Sequence, residues 1–252
     1  YSIVIISFIK YKVNIMKKKV DTYHYVVIGV ISILFIFLLY WIRRNTMRQN
    51  FEDKQKPLLF IHIPKTGGTY VEDEFKKANY NVGRHDINEK LKNEFKCPFW
   101  HTPSKKNKKI NFKEYITFTV VRNPYERILS EYNWSKFPRY KTFDVSRSTE
   151  LNDFVSNLNT SQIIEDGECH LVPQAEYLTD SYGNKVKHII HQEKLTEELN
   201  KFIEKYKLNI TLSNKKTNEK NRNHTVDELT ETSKKYIQTY FKKDFEELGY
   251  EM

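Results

Sequence analysis

The chain has 252 residues, 39% hydrophobic and 14% aromatic, with only 7 Gly, 7 Pro and 2 Cys. That length holds one sizeable domain plus a short extra segment, and the composition excludes a fibrous, low-complexity or disulfide-scaffold chain. The formal net charge is +10, but residues 1–56 alone hold 10 Lys/Arg against 3 Asp/Glu, so the surplus surrounds a hydrophobic segment, which favours a membrane surface over a nucleic-acid partner.

Residues 1–24 read as a tail. The chain begins with Tyr, and its first methionine, Met16, is followed by Lys17, Lys18 and Lys19. A translational start at Met16 and a fragment of a longer protein are both open. From Tyr25 to Ile42 the 18 residues YVVIGVISILFIFLLYWI carry no charge. About 20 apolar residues span a bilayer core, so residues 25–42 are expected to form a single transmembrane anchor. Trp41-Ile42-Arg43-Arg44 is a poor signal-peptide cleavage site, and the segment lacks the polar face of a surface helix. Lys17–Lys19 on one side and Arg43, Arg44 and Arg48 on the other nearly balance, so charge leaves the orientation open. Residues 43–56 are polar and read as a short stem, leaving 57–252 as the globular domain.

Leu58–Ile63 (LLFIHI) is a short apolar run of the kind that forms a buried parallel strand. Pro64-Lys65-Thr66-Gly67-Gly68-Thr69 follows as a tight loop, and residues 70–78 place Val71 and Phe75 on one helical face. Ser104–Lys109 is Lys-rich and reads as solvated surface. Tyr115–Val121 is the second strand, leading through Arg122-Asn123 into a helix from Pro124 to about Trp134, with proline suited to the first turn. Val186–His191 is a third strand and Leu195–Tyr206 an amphipathic helix. Residues 214–223 are charged. Thr225-Val226-Asp227-Glu228 has the spacing of a capping box and is expected to open a helix, with a final helix running to about Leu248. Strand–loop–helix units in series imply an α/β domain with a mainly parallel sheet.

Two strings carry chemistry. FIHIPKTGGTY (60–70) ends a strand in a glycine turn and opens a helix. A helix N-terminus presents free N–H groups and a positive dipole end to a phosphate or sulfate. Gly67 and Gly68 permit close backbone approach, Lys65 adds a positive charge, and Thr66 and Thr69 add hydroxyls. The order differs from a Walker A loop, where lysine follows the glycines. TVVRNPYERILSEY (119–132) places Arg122 at a strand end and Ser130 eight residues on, about two helical turns along. A guanidinium and a hydroxyl so placed can grip one phosphate from two sides.

Together these strings resemble the PAPS-dependent sulfotransferases (PAPS, 3′-phosphoadenosine-5′-phosphosulfate), in the branch of Golgi carbohydrate enzymes related to heparan and chondroitin sulfotransferases. The resemblance runs from about residue 57 to 252 and includes CHLVPQAEYL (169–178), KHIIHQEKLTEELNKFIEKY (187–206) and YFKKDFEELGY (240–250). It implies a three-layer, P-loop-NTPase-like α/β domain. It also implies that Lys65, Thr66, Gly67, Gly68, Thr69 and Tyr70 line the 5′-phosphosulfate, with Arg122 and Ser130 at the 3′-phosphate. The 214–223 loop, including Arg222, falls where such enzymes close over the nucleotide. PAPS would be the co-substrate, with no metal and no nucleic acid, and the acceptor a carbohydrate or other hydroxyl.

A general base must take the acceptor proton. His101, between the two motifs where related enzymes carry their base, is the first candidate, and Lys65 is its catalytic partner at the leaving group. His170 ranks second; His62 reads as core, and His85 has only its position in its favour. In an oxidising lumen Cys97 and Cys169 could pair; two buried free thiols are the other reading. Sequons stand at Asn133, Asn159, Asn209 and Asn223, but about two or three are expected by chance among 21 Asn and they add little weight; it is the resemblance that implies a type II Golgi glycoprotein with its catalytic domain in the lumen. The competing readings are a protein tyrosine sulfotransferase, a P-loop kinase or NTPase, and an inactive membrane-anchored binding protein of the same fold.

Overall fold

The structure is a computed structural model that describes residues 30–46, 56–82, 99–135, 150–156, 158, 169–213 and 224–252. The chain divides into two units, Tyr1–Gln55 and Lys56–Met252. In the first, residues 30–46 form one helix, α1. Its apolar side chains are exposed on every side, from Val30 to Ile42. Residues 25–29 of the expected anchor lie outside the described residues. No helix among the described residues is long and apolar enough to cross a membrane.

The second unit is built on a three-stranded parallel sheet in the order β1-β2-β3. The strands are β1, Leu58–Ile61, β2, Ile116–Val121, and β3, His188–His191. Leu58 pairs with Ile116, and Phe118 with His188. Every residue of the central strand β2 is buried. A strand covered on both faces reads as a continuous apolar run, as ITFTVV does. Its two threonines are satisfied locally: the Thr119 hydroxyl donates to the Ile61 carbonyl at 2.7 Å, and Thr117 Oγ1 accepts from the Lys187 amide at 2.9 Å.

Alternation along the strands fixes what covers each face. Phe60, Ile116, Phe118, Val120 and Ile190 pack on α2 (Gly68–Lys77) and α5 (Leu195–Tyr206) through Val71, Phe75, Leu199, Phe202 and Ile203. Leu59, Ile61 and Val121 pack on Val172, Tyr177 and Leu178. A further cluster joins α3 (Pro124–Ser135), α4 (Leu151–Ser156), α6 (Glu231–Tyr240) and α7 (Lys242–Leu248) around Tyr132, Phe154, Ile237, Phe241 and Phe245.

Three sequence expectations shift. The third strand begins at His188, because Val186 is occupied in a hairpin where its amide donates to the Leu178 carbonyl at 2.8 Å. Glu228 accepts from the Thr225 amide at 2.7 Å, but the turn it closes is a single 3-10 turn, Val226–Glu228. Leu229 is extended, and Thr230 caps the true helix by accepting from the Ser233 amide. The final helix is also two: Phe241 ends α6 and caps α7, and Asp244 in the first turn of α7 accepts from the amides of Gln174 and Ala175, both at 2.9 Å.

Candidate functional site

Three parallel strands end at one edge, the usual ligand edge of an open α/β sheet. At the end of β1 the loop takes two left-handed residues in three, Lys65 at φ 68° and Gly67 at φ 93°. For glycine that conformation is free; for lysine it costs roughly 1–2 kcal/mol. The loop is braced against that cost. The Thr66 hydroxyl, fully buried, donates to the Ile63 carbonyl at 2.9 Å, and Arg127 Nε donates to the Pro64 carbonyl at 3.0 Å. Gly67 is the N-cap of α2 and supplies no side-chain cap. The first amides of a helix have no acceptor within it, so this end of α2 suits an anion. Gly68 is buried in the first turn with Thr69 half-buried beside it.

The Lys65 ammonium lies 4.3 Å from the centroid of the Trp134 ring, a cation–π contact. Burial lowers its pKa to about 8; the Glu131 carboxylate pulls it back up, while the Arg122 and Arg127 guanidiniums push it further down. Three cations thus surround one end of the sheet.

Arg122 follows β2 directly. Its backbone is gripped by the fully buried Gln174: the Arg122 amide donates to Gln174 Oε1 at 2.9 Å, and Gln174 Nε2 donates to the Arg122 carbonyl at 2.8 Å. Its guanidinium reaches Glu126 Oε2 at 3.0 Å and, more weakly, the Lys65 carbonyl at 3.4 Å. Asn123 Oδ1 caps α3 by accepting from the Tyr125 amide at 2.9 Å. Ser130 is half-buried on α3, one turn beyond Glu126 on the same ridge. Tyr70 is turned elsewhere: its hydroxyl donates to the Ser213 carbonyl at 2.9 Å, and Ser213 in turn donates to Glu74 through its amide and its hydroxyl. Those bonds tie the chain to α2 just before the 214–223 loop, which, with Arg222, lies outside the described residues.

His101 ends a 3-10 turn, Phe99–His101, and sits between two other histidines. Its ring centroid is 5.1 Å from that of His62 and 4.9 Å from that of His170. Each outer histidine is held by a glutamate, His62 Nδ1 to Glu72 Oε1 at 2.9 Å and His170 Nδ1 to Glu131 Oε2 at 2.9 Å. His62, read from the sequence as core, is indeed buried, yet it adjoins His101. His85 lies outside the described residues. Cys169, the residue before His170, is disulfide-bonded. The chain's other cysteine, Cys97, lies outside the described residues, as do Asn159 and Asn223. Among the described residues no group of three or more His, Cys, Asp or Glu could hold a metal ion.

Sequence reasoning missed Glu131, Arg127, Gln174 and Asp244. Arg127 is buried and links three segments, donating to the Pro64 and His170 carbonyls and standing 4.0 Å from Asp244. The only signal was the arrangement of Arg127 and Glu131 one turn apart on α3, which puts them on one helical face.

Comparison with known protein families matches residues 48–251 to the family described as the sulfotransferase family. No curated protein matches the chain, and no solved structure does.

Proposed function

The chain belongs to the sulfotransferase family, and on that premise we propose that it transfers a sulfuryl group from PAPS to a carbohydrate hydroxyl, releasing 3′,5′-ADP. The observation that carries the reading is the meeting of two strand ends: β1 delivers Lys65 beside the open end of α2, and β2 delivers Arg122, whose guanidinium reaches the Lys65 carbonyl. Such a site can hold the two phosphate-bearing ends of one nucleotide, as the P-loop-like arrangement of strand, loop and helix does for other nucleotides. Lys65, Thr66, Gly67, Gly68 and Thr69 belong to the 5′ side, whereas the Tyr70 hydroxyl is bonded to the Ser213 carbonyl instead. Arg122 and Ser130 take the 3′-phosphate, which replaces Glu126 as the acceptor of Arg122.

Sulfuryl transfer needs positioning and charge stabilisation more than covalent chemistry. The acceptor oxygen forms its bond to sulfur as its O–H bond breaks, and the proton passes to His101. The S–O bond to the 5′-phosphate breaks with its electron pair going to the leaving oxygen, which the Lys65 ammonium and the α2 amides stabilise.

The helix over 30–46, uncharged and exposed from Val30 to Ile42, supports a membrane anchor at 25–42. The disulfide at Cys169 supports an oxidising compartment. Both fit a single-pass type II protein with its catalytic domain in the Golgi lumen. The test is equilibrium binding: 3′,5′-ADP should bind far more tightly than ATP, and a preference for ATP would select the kinase or NTPase reading instead.

A further inference from the structure

We propose that Glu131 is a positioning residue that joins the two halves of the reaction, holding His170 against His101 while serving as the counter-charge of Lys65. The inference rests on the sulfuryl-transfer reading above. Its basis is one face of α3. Arg127, Glu131 and Trp134 lie at helical neighbour spacing. All three reach the same place: Arg127 donates to the Pro64 and His170 carbonyls, Glu131 accepts from His170, and Trp134 lies under the Lys65 ammonium. Both partners of the Glu131–His170 bond are nearly buried, with side-chain exposure of 11% each.

Burial alone would push the Glu131 carboxyl up. The charge and hydrogen bond of His170, and then the charges of Lys65 and Arg127, more than offset that and leave it below the ordinary glutamate value. An ionised carboxylate can only accept, so His170 Nδ1 carries a proton whichever charge state the ring is in, and in the neutral ring its Nε2 is left as an acceptor. The His170 ring adjoins the ring of His101, where the acceptor's proton arrives. On the other side, Lys65 is half-buried with Arg122 and Arg127 acting against its charge, and Glu131 acts in its favour. Removing that carboxylate therefore weakens both ends: His170 loses its fixed tautomer, and Lys65 sheds its proton more readily.

The test uses the full chain in detergent micelles. In the wild type, nitrogen NMR should find neutral His170 protonated at Nδ1; an Nε2-protonated ring would overturn the proposal whatever the variant does. In Glu131→Gln, the Lys65 side-chain titration should move to lower pH, and the high-pH limb of kcat/KM for transfer from PAPS should move with it. A folded Glu131→Gln protein with Lys65 titrating as in the wild type would also overturn it. The NMR arms need no PAPS. If the wild type transfers no sulfuryl group, the functional reading fails while the role of Glu131 is still decided.

Discussion

A β-carbon on Gly68 would stand 2.9 Å from Cε1 and 3.0 Å from both nitrogens of the His62 ring. The ring cannot simply step aside, because its Nδ1 is bonded to the buried Glu72. Alanine normally stabilises a helix by up to about 1 kcal/mol over glycine. Here overpacking, typically about 1–3 kcal/mol, opposes that gain and wins. Gly68→Ala should lower the denaturation midpoint and impair transfer, since His62 adjoins His101. An unchanged or raised midpoint would show that the ring yields freely.

Lys65 must be cationic to stabilise the leaving oxygen. With its pKa lowered to about 8 by burial and the two arginines, it is protonated below that pH and loses its charge above it. The kcat/KM profile should therefore fall as pH rises through about 8. Lys65→Ala should cost roughly 100- to 1,000-fold in rate at neutral pH. A flat profile from pH 7 to 10 would remove Lys65 from that role.

Arg122 and Ser130 should distinguish nucleotides by their 3′ end. A hydrogen bond to a charged group contributes about 1.5–3 kcal/mol. Arg122→Ala should accordingly weaken 3′,5′-ADP by roughly ten- to a hundredfold, and Ser130→Ala by less. Neither should much affect an analogue lacking the 3′-phosphate. Calorimetry showing equal losses for both ligands would mean that Arg122 does not read that phosphate.

His101→Ala should abolish transfer while leaving 3′,5′-ADP affinity almost unchanged, because the nucleotide is held by other groups. His170→Ala should be milder. A neutral imidazole can accept a proton and hand it on, the property that a base in this position needs. Near-normal turnover in His101→Ala, with loss in His170→Ala, would move the base to His170.

The parts of this site that are local in sequence were legible there. The strand-turn-helix strings around Lys65 and Arg122 declare themselves within 11 and 14 residues, and the amphipathic period of Leu195–Tyr206 marks its helix to the residue. What stayed hidden depends on distant partners. Glu131 meets His170 across 39 positions, and Gln174 meets Arg122 across 52. No local period signals such pairs. The break at Phe241 was hidden for a related reason: Asp244 answers to amides at Gln174 and Ala175, a demand that helix periodicity does not express.

The central claim is sulfuryl transfer from PAPS, and its most direct test is a single-turnover reaction with [35S]PAPS, the full chain and a panel of glycans and tyrosine peptides. The account predicts labelled glycan and 3′,5′-ADP formed in equal amounts by the wild type, and neither by His101→Ala. Label on peptides alone would move the acceptor to tyrosine. Tight PAPS binding with no labelled product on any acceptor would contradict the account and leave a binding protein of the same fold.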